Sequence, residues 1–212
     1  MEHLVWFLLT IFATMLTMVS LFTPHWLISP LASEVESGNH TVLRHPSFGL
    51  GSRCMKLSSG KFDCATFSVI QTSTQIFPFF WKLSYIFMFL GFMLLSATCF
   101  CTLISFCRQS CLGKSLHTLT GSVQILSGIF VMIAIFLYPI GWTIPRISSV
   151  CVDISPYHPG ECKLGYSFYC AIAAIVMAFV CGILSLKAEQ ASMNPNIKRR
   201  IEEGNERLVF AP

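Results

Sequence analysis

Four apolar blocks, Leu4–Phe22, Leu83–Phe106, Leu119–Tyr138 and Leu164–Leu186, contain no Asp, Glu, Lys or Arg, and they constrain this chain more than any other feature. About 20 apolar residues rising about 1.5 Å each cross a hydrocarbon core of about 30 Å. Lipid offers the backbone no hydrogen-bond partner, so each block must be a helix. Composition agrees: 54% of the 212 residues are hydrophobic and 11% are charged, against about 25% charged in soluble domains. The expected fold class is an all-α membrane four-helix bundle. Its helices fall near 4–22, 83–106, 119–138 and 164–186, with outer loops over 23–82 and 139–163 and a cytosolic tail over 187–212. The first block reads as a retained helix. Met1-Glu2-His3 lacks the basic residue of a signal peptide, and Thr23-Pro24-His25 is a poor cleavage site.

Two cysteine pairs orient the chain. Cys54 and Cys64 lie in the first long loop, and Cys151 and Cys162 in the second. Disulfides persist on the oxidising side of a membrane. If the cysteines pair, both loops are extracellular or lumenal and both termini are cytosolic. Four cysteines allow three connectivities. Pairing within each loop is the simplest, because the two spacings are similar and short. Basic residues divide evenly between the two sides, but long translocated loops weigh little in the positive-inside rule. Asn39-His40-Thr41 is an N-glycosylation sequon in the first loop, which suits that orientation. Val42-Leu43, Phe48-Gly49-Leu50 and Thr66–Ile70 read as strands, with Cys54 and Cys64 closing a hairpin over Ser58-Ser59-Gly60-Lys61.

The polar chemistry argues against catalysis and transport. Ionisable residues inside the membrane mark transport paths and intramembrane catalytic sites, and the four blocks have no Asp, Glu, Lys or Arg. Gln124 and His117, in or beside the third block, read as hydrogen-bond partners of a neighbouring helix or as interface residues. Cys99, Cys101, Cys107 and Cys111 cluster at the inner end of the second block. Cys-x-Cys on a helix splays its thiols apart, so no metal site is expected. Cys107 and Cys111, juxtamembrane and one turn apart beside Arg108 and Lys114, are candidates for palmitoylation. Cys170 and Cys181 read as small core residues. Ala174, Ala178 and Gly182 recur every four residues, a spacing that suits close packing within the bundle. No cofactor, small-molecule substrate or nucleic-acid partner is expected, since no basic patch with interleaved aromatics is present.

Three segments carry a family resemblance: Leu137-Tyr138-Pro139-Ile140-Gly141-Trp142, Gly160-Glu161-Cys162-Lys163-Leu164-Gly165-Tyr166, and Phe48-Gly49-Leu50 leading to Cys54. In this order and spacing the chain resembles the lipoma HMGIC fusion partner-like (LHFPL) tetraspan proteins, a branch of the claudin and peripheral myelin protein superfamily. The closing segment, Glu206 to Pro212, is similar to the tail of one branch of that family. The superfamily pattern of Trp, Gly-Leu-Trp and two Cys matches at Trp26, Gly49, Leu50, Cys54 and Cys64, while Gly51 stands where the pattern has its second Trp. Gly141, Trp142 and Gly165 complete the family motif. The resemblance implies a left-handed bundle beneath a small extracellular β-sheet, with one strand from the second loop.

It also implies a non-enzymatic plasma-membrane protein that acts as an auxiliary or assembly partner of another membrane protein, such as a channel or receptor. The alternatives are a claudin-like adhesion or barrier protein and a small transporter or channel. The first loop offers Arg44, Arg53, Phe62 and Phe67 as candidate partner contacts, because arginine and aromatic groups anchor interfaces.

Overall fold

The computed structural model describes residues 2–30, 33–37, 40–57, 62–66, 79–105, 110–111 and 114–192. Four long helices, α1 (Glu2–Phe22), α2 (Phe79–Ser105), α3 (Leu116–Leu137) and α5 (Tyr166–Ser192), form the bundle. A 3-10 turn (Tyr138–Thr143) and the single-turn α4 (Pro145–Ser148) follow α3. Spans long and apolar enough to cross a membrane run over Leu4–Phe22, Phe79–Leu103, Leu119–Thr143 and Tyr166–Ser185. Large apolar side chains such as Phe12, Phe89, Phe100 and Ile183 are exposed, whereas Thr10, Thr17, Ser84, Gln124, Ser127 and Ser185 are buried. This is the reverse of a soluble bundle. Lipid is as apolar as leucine, so close packing and interhelical hydrogen bonds hold the helices together.

One antiparallel sheet joins β1 (Leu27–Ile28), β2 (Ser33–Ser37), β3 (His40–Phe48), β4 (Ser52–Leu57), β5 (Phe62–Thr66) and β8 (Lys163–Leu164). Its order is β5-β4-β3-β1-β8, and β2 also pairs with β3. Every strand but β8 comes from the first loop, as the resemblance implies. The connection between α2 and α3 carries a minute pair, β6 (Ser110–Cys111) and β7 (Lys114–Ser115).

Contacts divide the chain into two compact units. The first comprises Met1–Leu16, Leu90–Val131 and Ala173–Pro212. There Gln124 accepts from Trp6 Nε1 at 3.3 Å and donates Nε2 to Thr10 Oγ1 at 2.8 Å. Trp6 Nε1 is shared with the Cys181 carbonyl at 3.1 Å. Gln124 thus bonds a neighbouring helix, as its place in an apolar block suggests. Ala178 lies against α3, with its Cβ 3.3 Å from where Gly128 would carry one, and Gly182 meets Ile125. The small-residue stripe therefore packs within its own bundle. Cys181 is buried and Cys170 half-buried. Replacing Gln124 with Leu is expected to cost about 1 kcal/mol, the scale of an interhelical hydrogen bond in a membrane protein. Thermal unfolding in detergent measures it. A loss no greater than that of a lipid-facing control, Leu126→Ala, would contradict the assignment.

The second unit comprises Thr17–Phe89 and Met132–Ile172 and holds the whole sheet. Several boundaries differ from the sequence reading. Leu164 belongs to β8, opposite Leu27, and α5 starts only at Tyr166. The cause is Gly165, packed so tightly on the His25 carbonyl that a Cβ could not fit. α2 starts at Phe79, ahead of Lys82, the charge that closed the apolar count. Of Phe48-Gly49-Leu50, only Phe48 is in a strand. Gly49 turns the chain, donating its N–H to the Ser52 carbonyl at 2.8 Å. Of Thr66–Ile70, Thr66 ends β5 and the remainder lies outside the described residues. Cys111 sits in β6, beyond the end of α2 at Ser105. Asn39, Phe67, Cys107 and the tail from 193 onward lie outside the described residues.

Candidate functional site

The sheet of the second unit stands on an aromatic cluster. Trp26 is fully buried, with its ring centroid 4.9 Å from Tyr138 and 5.6 Å from Phe168. Its Nε1 donates to the Ser20 carbonyl at 2.7 Å. Pro24, four residues beyond Ser20, has no N–H, so the indole replaces the donor that a continuing helix would supply. Trp81 stacks on Tyr138 at 5.0 Å and donates Nε1 to its carbonyl at 2.9 Å. Trp142 meets Tyr138 edge-on at 6.0 Å. Such pairs contribute about 0.5–1.5 kcal/mol each beyond the area they bury.

Backbone bonds join this base to the sheet. Trp26 N donates to the Phe48 carbonyl at 3.0 Å and Gly165 N to the Trp26 carbonyl at 2.9 Å. Glycine is needed where chains meet: a Cβ on Gly49 would stand 2.6 Å from Pro24 Cα, and one on Gly141 would strike the Trp81 indole. Leu50 is fully buried beside them. The motif residues Trp26, Gly49, Leu50, Gly141, Trp142 and Gly165 thus gather in one unit from separate segments. Tyr138 and Trp81, which tie the cluster together, were not singled out from the sequence. The signal was available: Tyr138 opens the quoted Tyr-Pro-Ile-Gly-Trp segment, and Trp81 precedes the lysine at the start of the second span.

Both disulfides join cysteines within one loop. Cys54 and Cys64 face each other across β4 and β5, with Cα atoms 4.1 Å apart. Cys151 and Cys162 close the second loop with Cα atoms 5.4 Å apart. The β4–β5 hairpin bears a shallow cavity of about 100 Å³ lined by Arg53, Met55, Asp63 and Ala65. Arg53 pairs with Ala65 and Met55 with Asp63, so all four alternate onto one face, in the phase opposite to the disulfide. The register also puts Arg44, opposite Leu57, in phase with Arg53, and Phe62, opposite Lys56, out of phase. Phe67, the remaining expected contact, lies outside the described residues. Arg53 joins Met55, Asp63 and Ala65, which the sequence reading did not name; strand alternation through Cys54 and Cys64 was the signal for them. At Gly51, the superfamily's second Trp position, a Cβ would stand 2.8 Å from the Tyr85 ring, so an α2 tyrosine covers that spot.

At the start of α5, His25 stacks on Tyr166 at 5.0 Å and shares a 3.2 Å hydrogen bond between Nδ1 and the phenol. Burial holds the imidazole below its ordinary pKa near 6.5. Folded His25 therefore resists protonation more than unfolded His25 does. Stability is unaffected above about pH 6.5 and falls as pH drops below it. Melting temperatures between pH 7.5 and about pH 5 test this. His25→Gln should flatten part of that decline, and an unchanged slope would show that His25 does not contribute.

Residues 2–187 match the family described as lipoma HMGIC fusion partner-like protein. The chain belongs to this LHFPL family. It is 29% identical to LHFPL tetraspan subfamily member 2a protein of Danio rerio over 216 aligned positions, covering 96% of this chain and 93% of the relative. It is also 29% identical to the human LHFPL tetraspan subfamily member 2 protein, again over 96% of this chain and 93% of the relative. This LHFPL protein is accordingly a multi-pass membrane protein with four candidate spans and two intraloop disulfides.

Proposed function

We propose that this LHFPL protein is a non-enzymatic auxiliary or assembly partner of another membrane protein, such as a channel or receptor. In this reading it sits in the plasma membrane with both termini cytosolic and the sheet outside, and it carries a glycan on Asn39. The observation that carries the reading is the β4–β5 hairpin. A disulfide braces it, the adjoining sheet is seated on the aromatic base, and a small cavity presents an arginine, a carboxylate and a methionine together. Among the described strands β5 pairs only with β4, so its other edge can accept a partner's strand. Such a surface provides recognition rather than turnover. Affinity purification of the tagged full-length chain in mild detergent tests the proposal. Recovery of one channel or receptor in near-stoichiometric amount supports it. Continuous strands of the protein at cell contacts, with no such partner recovered, would favour the claudin-like adhesion reading instead.

A further inference from the structure

We infer that the second loop, residues 151–162, rests in the headgroup layer of the protein's own membrane rather than standing free in water. Its tip is the turn Ser155-Pro156-Tyr157-His158, closed by reciprocal 3.0 Å backbone bonds between Ser155 and His158. Tyr157 occupies this turn with φ of 63°, a conformation natural to glycine and uncommon for a bulky residue. Its side chain makes a contact that glycine would lack. The hydroxyl donates to the Phe136 carbonyl at 2.8 Å. Phe136 belongs to the apolar span Leu119–Thr143, and its own side chain is 58% exposed, facing lipid.

That carbonyl lies where α3 tightens into the 3-10 turn. Pro139, the residue three further on, has no N–H to offer it. Hydrocarbon would supply no donor either, so a carbonyl left open there is costly. The Tyr157 phenol supplies the donor, and in doing so it fixes the loop at the depth of a lipid-facing residue. Independent markers give the same level. Trp81, next to Lys82, is bonded to the Tyr138 carbonyl, and Phe136 lies two residues further toward the membrane interior. Tyr157 and Val152 remain exposed on the loop, Tyr157 while bonded to the Phe136 carbonyl of α3. An apolar ring with a polar end suits the boundary between headgroups and acyl chains. Asp153, His158 and Glu161 are exposed on the same loop and available to headgroups and water.

The full-length Tyr157→Trp variant in phosphatidylcholine vesicles tests this. The four native tryptophans are at most 2% exposed and contribute little quenchable emission. Phosphatidylcholine brominated near the top of its acyl chains should quench the added tryptophan at least about twofold more than the Glu161→Trp control on the same loop. Equal quenching of the two would overturn the inference. Protection from aqueous iodide without bromolipid quenching would also overturn it, because the cover would then be protein. Hydroxyl-radical footprinting of the unaltered chain in the same vesicles needs no substitution. Tyr157 should be labelled as weakly as the lipid-facing Tyr169, although it is 57% exposed on the protein surface. Labelling at the rate of a water-exposed tyrosine would refute the placement.

Discussion

Replacing Trp26 with Ala is expected to cost about 3–5 kcal/mol, the scale for emptying a buried tryptophan site. Nothing nearby can collapse into the space, because Gly49 and Gly165 are already pressed against Pro24 and His25. The change also leaves the Ser20 carbonyl without its donor next to Pro24. Since Trp26 bonds both Phe48 and Gly165 through its backbone, the sheet and its base should loosen together. Thermal unfolding in detergent reads the loss. Trp26→Phe keeps the ring contacts to Tyr138 and Phe168 but not the N–H, so it should lose distinctly less. Equal losses for Ala and Phe would show that the hydrogen bond, not the packing, carries the stability.

The second large effect is expected at the second disulfide. Cys151 and Cys162 are 11 positions apart in the sequence, and both are buried. Opening a loop of this length frees the unfolded chain by about 3 kcal/mol. Replacing both cysteines with Ser also buries two hydroxyls where sulfur had packed. The loop backbone makes the cost harder to absorb, since Asp153, Tyr157 and Gly160 all have positive φ. The double variant should therefore unfold at a markedly lower temperature. Replacing Cys54 and Cys64 should cost less globally, because Cys64 is exposed on β5, an edge strand among the described ones, and should act on recognition instead. A larger global loss from the Cys54/Cys64 pair would reverse this ranking.

The sequence shows the bundle clearly because an apolar block without charge has only one form in lipid. Gln124 was legible for the same reason: an amide in such a block needs a partner, and Trp6 and Thr10 provide it. The sheet was harder to read. β1 and β8 are two residues long, too short for alternation to register, and their pairing depends on Gly165 fitting against His25. The surface patch was half legible. Arg53 was found by residue type, but Met55, Asp63 and Ala65 join it only through the register that Cys54 and Cys64 set. Tyr157 left no sequence signal, because its role depends on a left-handed backbone and on a carbonyl that Pro139 cannot serve.

Partner recognition by the β4–β5 hairpin is tested most directly by exchanging residues 52–66 for the matching segment of a relative, retaining Cys54 and Cys64. The exchange leaves Phe48, Gly49, Leu50 and the aromatic base intact, so the variant should fold and reach the cell surface like the parent. Affinity purification in mild detergent should then recover the partner at least about tenfold less well, equivalent to about 1.4 kcal/mol of lost binding. Undiminished recovery by a surface-expressed chimera would contradict the account and place recognition in the membrane helices.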